Sequence, residues 1–135
     1  VEIIHRNLEF GEDPVKFSEK WSEEQEKLRG QILQAKDLLS VVEVQEWIMR
    51  AVASACIRLH LDGHRPDITT IRAAKTLSAL EGRKAVLAED VLKVANMAVG
   101  FRTRGGGFEE PAMPAEIRDT FADALRRAQA EATAK

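Results

Sequence analysis

Apolar residues recur along the chain with a helical period. Phe17, Trp21, Leu28, Ile32, Ala35 and Leu39 follow one another at spacings of 4, 7, 4, 3 and 4, a single helix stripe interrupted at Glu24 and Gln25. Asp13 before Pro14 has the form of an N-cap followed by a proline in the first turn. The pattern predicts a helix over 14–39, about 40 Å long at ~1.5 Å per residue. That is longer than a small domain needs, so part of it is expected to project or to pack on a neighbour. Val44, Trp47, Ile48, Ala51, Val52, Ala55 and Leu59 predict a second helix with a wide apolar face. The stretch 61–67 breaks it: Gly63 suits a left-handed helix end, and Pro66 suits the opening of the next helix. That third helix carries Ile68, Ile71, Ala74, Leu77 and Leu80 or Ala79, and stops at Gly82. A fourth runs over 86–99 with Val91, Val94, Ala95 and Ala98 inward. Leu87 stands where its cap belongs, a flaw costing on the order of 1 kcal/mol. Gly105, Gly106 and Gly107 read as a joint. Beyond Pro111 and Pro114, Ile117, Phe121, Ala124, Leu125, Ala128 and Ala132 give a last amphipathic helix. Two-residue alternation is never sustained. The fold class is therefore all-α, a helical bundle preceded by a long helix and followed by a C-terminal helix.

Composition narrows the function. The chain has 135 residues, 44% hydrophobic, which is enough for one core. Its net charge of -2 does not suit a globally basic nucleic-acid binder, and 5% aromatics without Tyr do not suit a base-stacking surface. The charge is uneven. Residues 1–46 carry 11 acids and 6 bases, residues 47–104 carry 5 and 10, and residues 105–135 carry 6 and 4. Either the basic middle faces an anionic partner, or the segments neutralise one another. A single cysteine, Cys56, fits a reducing, cytosolic setting and excludes an internal disulfide framework. No apolar run is long enough to span a membrane. Glu2, Arg6 and Glu9 do not suit a secretory leader. A start at Val1 reads as a fragment or processed end, so part of the function is expected outside it.

Candidate chemistry is sparse. The sequence holds no phosphate-binding Gly-x-x-x-x-Gly-Lys-Ser/Thr loop, no Gly-x-Ser-x-Gly elbow and no His-Glu-x-x-His. Cys56, His60 and His64 are spaced by four and would share a face if one helix ran through them, as zinc ligands could. The plainer reading is a core cysteine and two histidines at a helix C-terminus. Arg102 and Arg104 beside the glycines are too few for an Arg/Gly nucleic-acid tail, and suit a solvated pair. Arg65 is the sharpest residue. It sits where free N–H groups and the positive dipole end of a helix converge, a place suited to a phosphate oxygen. Asp62 and Asp67 offer an ion pair instead, and local chemistry alone favours that pair.

Longer motifs add to this reading. The opening Val1 to Phe10 resembles the segment leaving the ATPase core in magnesium-chelatase AAA+ subunits. Asp62-Gly63-His64-Arg65-Pro66-Asp67-Ile68, Arg72-Ala73-Ala74-Lys75-Thr76-Leu77, Ala79-Leu80-Glu81-Gly82-Arg83, Glu89-Asp90-Val91 and Phe101-Arg102-Thr103-Arg104 resemble that family's C-terminal helical lid. The likeness covers about residues 1–110 and extends to cobalt-chelatase and, more loosely, MoxR-type ATPases. It implies three parts: residues 1–40, a linker from an ATPase core plus a long pre-lid helix; residues 41–104, the lid; and residues 105–135, a glycine hinge and a C-terminal helical extension, of which residues 111–135 run past the family's usual end. It implies that Arg65, seven positions before Arg72, is the sensor-2 arginine. As such it is the catalytic and nucleotide-binding residue, acting on the nucleotide of a neighbouring subunit. The fragment itself is not expected to hydrolyse ATP, and no resident metal site is expected in it. ATP and Mg²⁺ are the implied cofactors of the longer protein. The implied partners are its own ATPase core, neighbouring ring subunits and chelatase partner subunits, with neither membrane nor nucleic acid. The alternatives are a MoxR-like lid that remodels proteins and a helical module that binds DNA or a partner.

Overall fold

The computed structural model describes residues 1–102 and 110–134. The expected glycine joint at 105–107, with Thr103 and Arg104, lies outside the described residues. Among the described residues six α-helices follow in order: α1 (Glu2–Glu12), α2 (Pro14–Leu39), α3 (Glu46–Arg58), α4 (Arg65–Leu80), α5 (Ala88–Val99) and α6 (Pro114–Thr133). A short 3-10 turn, Gly100–Arg102, follows α5. The chain forms two compact units, Val1–Gln34 and Ala35–Lys135.

The first unit is a helical hairpin. Where a linker was expected, residues 2–12 form α1, helped by the one-turn ion pair Glu2–Arg6 at 2.7 Å. Asp13 ends α1 and starts α2. Its carboxylate accepts the Lys16 N–H at 3.0 Å and its carbonyl the Phe17 N–H at 3.0 Å, with Pro14 first in the helix as the sequence indicated. Phe10 meets Phe17 edge-on at 5.7 Å, and Phe17 tilts on Trp21 at 6.1 Å. The Arg6 guanidinium covers the Trp21 ring at 4.2 Å, and Lys20 pairs with Glu9 at 2.6 Å. These contacts cover side chains without enclosing them: no residue of 1–34 is buried. The expected α2 stripe accordingly divides. Ala35 is buried, Phe17 and Trp21 are half-buried, and Leu28 and Ile32 are exposed.

The second unit holds the core. There α3 packs on α6, α4 on α5, α5 on α6 and α3 on α4. Phe121, Ile117, Ile48, Val52, Val91 and Val99 are its largest fully enclosed hydrophobic side chains. The C-terminal stripe Ile117, Phe121, Ala124 and Leu125 docks within this bundle. The inward face of α4 follows the expected one at Ile71, Ala74, Leu77, Ala79 and Leu80, which are buried or pack against the core, and departs from it elsewhere. Pro66, Thr70, Ala74, Ser78 and Ala79 are buried, Ile71 and Leu77 are half-buried, and Ile68 is 50% exposed. A four-residue ladder of small side chains wins because it lets helix axes approach closely. Its hydroxyls are satisfied by backbone carbonyls: Thr70 donates to Pro66 at 2.8 Å and Ser78 to Ala85 at 2.8 Å. The chain between α2 and α3 is stitched to the α4–α5 loop. Glu43 N–H donates to Lys84 O at 2.9 Å, and Val86 N–H to Glu43 O at 3.0 Å.

Candidate functional site

The site around Arg65 begins at the end of α3. Leu61 N–H reaches back to Cys56 O at 3.1 Å and His60 N–H to Ile57 O at 3.0 Å, the paired bonds of a Schellman ending. The left-handed position of that motif is His60, at φ 51. Gly63, expected to end the helix, also has positive φ but lies three residues further on. Cys56 is therefore on α3, His60 in its terminating turn and His64 beyond it. The three do not share a helix face, and the zinc reading loses its geometry.

Helix α4 then opens at Arg65 with Pro66 buried behind it. Pro66 has no N–H, and the N–H groups of Arg65 and Asp67 have no intrahelical acceptor at this end. Ile68 N–H bonds to His64 O at 3.2 Å, and the Thr69 hydroxyl donates to Arg65 O at 2.7 Å, which fixes the first turn. Asp67 does not take Arg65. Its carboxylate lies 3.5 Å from His64 Nδ1. It also faces Cys56: burial pushes the Cys56 thiol well above its ordinary range, and the Asp67 carboxylate adds to that. Such a thiol is a packing group and not a nucleophile. Among the described residues Arg65 is exposed and forms no ion pair with Asp62, Asp67 or any other acid. The local preference for an Arg65 ion pair is thus overturned: His64 and Cys56 engage the acid that would have made it.

Phosphate chemistry fits this arrangement. A planar cation stands at a helix start that carries positive potential and unused donors. The donor set does not fit Mg²⁺, since the carboxylate on the first turn of α4, Asp67, is already engaged. The grooves lined by Gln45, Trp47, Arg50 and Glu131 (about 290 Å³) and by Glu89, Lys93 and Arg118 (about 570 Å³) do not include Arg65. Arg102 is half-buried with its guanidinium 4.7 Å from the Phe101 ring, not solvated as expected.

A second polar constellation, which the sequence reading did not single out as a unit, closes the α4–α5 loop. Arg83 grips Asp90 with two parallel hydrogen bonds, Nη1 to Oδ2 at 2.8 Å and Nη2 to Oδ1 at 2.6 Å. It also holds Glu81 at 2.6 Å, which Lys93 reaches from α5 at 3.2 Å. Asp90 is 1% exposed, and its Oδ2 also accepts the Leu87 N–H at 2.8 Å. This bond repairs the start of α5, where Leu87 has no capping side chain. Burial alone would push the Asp90 carboxyl up. The Arg83 bonds, the Leu87 amide and the attraction of Arg83 and Lys93 outweigh it and hold the group below the usual carboxylate range. The legible signal was an arginine seven residues before an aspartate, placed directly after the helix-ending Gly82.

Among the described residues no helix is long and apolar enough to cross a membrane. Residues 49–125 match the AAA lid domain family. The chain is 40% identical over 116 residues to a magnesium-chelatase subunit ChlI homolog of Methanocaldococcus jannaschii, covering 86% of this chain and 32% of that protein. It is 35% identical to magnesium-chelatase 38 kDa subunits of Rhodobacter capsulatus and of Chlorobaculum tepidum. These alignments take in 93% and 98% of this chain and 36% and 34% of those proteins. The chain thus spans about a third of the length of the curated relatives it matches. The likeness extends beyond the expected end near residue 110, since the family match runs through α6 to Leu125. The all-α bundle and this match together establish that the chain belongs to the AAA lid domain family.

Proposed function

We propose that the chain is the lid of a magnesium-chelatase-like AAA+ ATPase, coupling nucleotide state to subunit motion for metal insertion into a tetrapyrrole. Arg65 contacts the nucleotide phosphates. The observation that carries this reading is an exposed, unpaired arginine on the first residue of a helix whose nearby acid is engaged elsewhere. Arg65 supplies positive charge to phosphate oxygens and moves with α4, so lid position and phosphate occupancy become linked. ATP and Mg²⁺ are cofactors of the longer protein, with Mg²⁺ held on its ATPase core. Arg65 reaches the nucleotide of a neighbouring ring subunit. The partners are the protein's own core, neighbouring subunits and the other chelatase subunits, in the cytoplasm.

The test is Arg65→Ala and Arg65→Lys in the longer protein. Arg65→Ala should lower ATP turnover about a hundredfold or more, as loss of a phosphate-directed arginine does elsewhere. Its melting temperature should stay within a degree or two of the parent's, because the side chain is exposed. Arg65→Lys should recover only part of the turnover, since a point charge lacks the planar fork. Unchanged turnover in Arg65→Ala overturns the assignment.

A further inference from the structure

Helix α4 presents a second face that the bundle does not use. Arg65, Ile68, Arg72 and Lys75 follow at steps of three, four and three, one stripe of a helix. Arg65 and Arg72 are exposed, Lys75 is half-buried, and none of the three cations makes an ion pair among the described residues. Ile68 stands half out of the fold between them.

Helix α2 carries a stripe with the same steps. Glu23, Glu26, Gly30 and Leu33 lie at three, four and three. Glu23 and Glu26 are exposed, and among the described residues Glu23 is tied only to Lys27 one turn away, at 2.9 Å. Leu33 is 54% exposed. A Cβ placed on Gly30 would meet nothing within 4 Å, so this glycine is a notch open to solvent.

Antiparallel, the two stripes fit in one register. Lys75 falls opposite Glu23, Arg72 opposite Glu26, and Ile68 opposite the Gly30 notch. Arg65 falls beside Leu33 at the rim, with its guanidinium still free. Two cation–carboxylate pairs then flank one apolar step, and the missing Cβ lets the helices approach closely. We propose that the Ile68/Arg72/Lys75 face of α4 docks on the Glu23/Glu26/Gly30/Leu33 face of α2 in a second copy of this chain. The contact is head-to-tail, because the surface used on one copy differs from that used on the other. It does not depend on nucleotide.

Three forms of the chain test this in sedimentation velocity at low salt: wild type, Arg72→Glu/Lys75→Glu and Glu23→Lys/Glu26→Lys. Wild type should associate in a concentration-dependent way, and more weakly as salt is raised. Each charge-reversed form alone should associate at least about tenfold more weakly, since two attractive pairs become repulsive. Mixed together, the two forms should associate again, because every contact between unlike copies then pairs opposite charges: the unaltered α4 face meets the unaltered α2 face, and the two reversed faces are complementary to each other. Closing the notch with Gly30→Gln should weaken wild-type association without a charge change. Circular dichroism and melting identical to wild type keep these results free of misfolding. A wild-type chain that stays monomeric at low salt overturns the proposal and leaves the basic face for another anionic partner. So does undiminished association of either charge-reversed form, or a mixture that does not pair.

Discussion

His60 holds a conformation that its neighbours impose. The α3 ending needs a left-handed residue at that position, and a side chain there is strained relative to glycine. His60→Gly should therefore raise stability by about 0.5–1 kcal/mol, less what a more flexible unfolded chain takes back. Denaturant unfolding reads this directly as a higher midpoint at unchanged slope. The equivalent position after α4 already has glycine, Gly82 at φ 72, with Arg83 N–H bonded to Ser78 O at 2.9 Å. Arg83 is the other residue whose replacement is decisive. Arg83→Met leaves the Asp90 carboxylate enclosed without its cation, which costs about 3 kcal/mol or more.

At the scale of elements, carboxylates tie the bundle together. Asp90 and Glu81 join the α4–α5 loop to α5, and Asp123 on α6 takes Arg58 from α3 at 2.8 Å and Arg127 at 2.9 Å. The Arg58 hydrogen bond first, then Arg127, holds Asp123 below the usual carboxylate range; Arg83 and then Lys93 do the same for Glu81. Groups lowered in the folded state stabilise it above their unfolded values and cease to do so as pH falls through the folded ones. Melting temperature should thus be level from about pH 7 to 5 and fall below about pH 4. Asp90→Asn should melt lower at neutral pH and show a shallower acid decline. A decline as steep as wild type would mean that Asp90 has no part in it.

The same elements show what a sequence exposes and what it hides. Helix α2 was legible to the residue, because Asp13-Pro14 is a local start signal and its period is regular. The faces of α5 and α6 were legible because large apolar residues mark them. The inner face of α4 was legible only in part: Ile71, Ala74, Leu77 and Ala79 face inward as their spacing indicated, but Ile68 does not. Thr70 and Ser78 look polar in a sequence, and only the fold reveals that Pro66 O and Ala85 O receive their hydroxyls. Helix α1 escaped because it has no buried stripe: Ile3, Ile4 and Leu8 are exposed, and Phe10 meets Phe17 of α2. At the candidate site Arg65 was legible from Pro66 and the helix start. Its freedom from Asp67 was not, since that depends on His64 and Cys56 meeting the carboxylate in space.

For the whole molecule, the decisive contrast lies between a unit with a core and a unit without one. Residues 1–34 enclose no side chain, so their helices open locally at little cost. Limited proteolysis should cut there first and leave a resistant product that begins near Ala35. Cleavage inside α4 or α5 at the same rate would contradict the division. The contrast also sets the heat of melting. Cooperative unfolding draws its enthalpy from packed residues, at about 0.7 kcal/mol each near about 60 °C. The calorimetric peak should therefore correspond to the second unit alone, about 70 kcal/mol, and not to the roughly 95 kcal/mol of a chain that melts throughout. A calorimeter would weigh this protein as a shorter one, with its first two helices thermally silent.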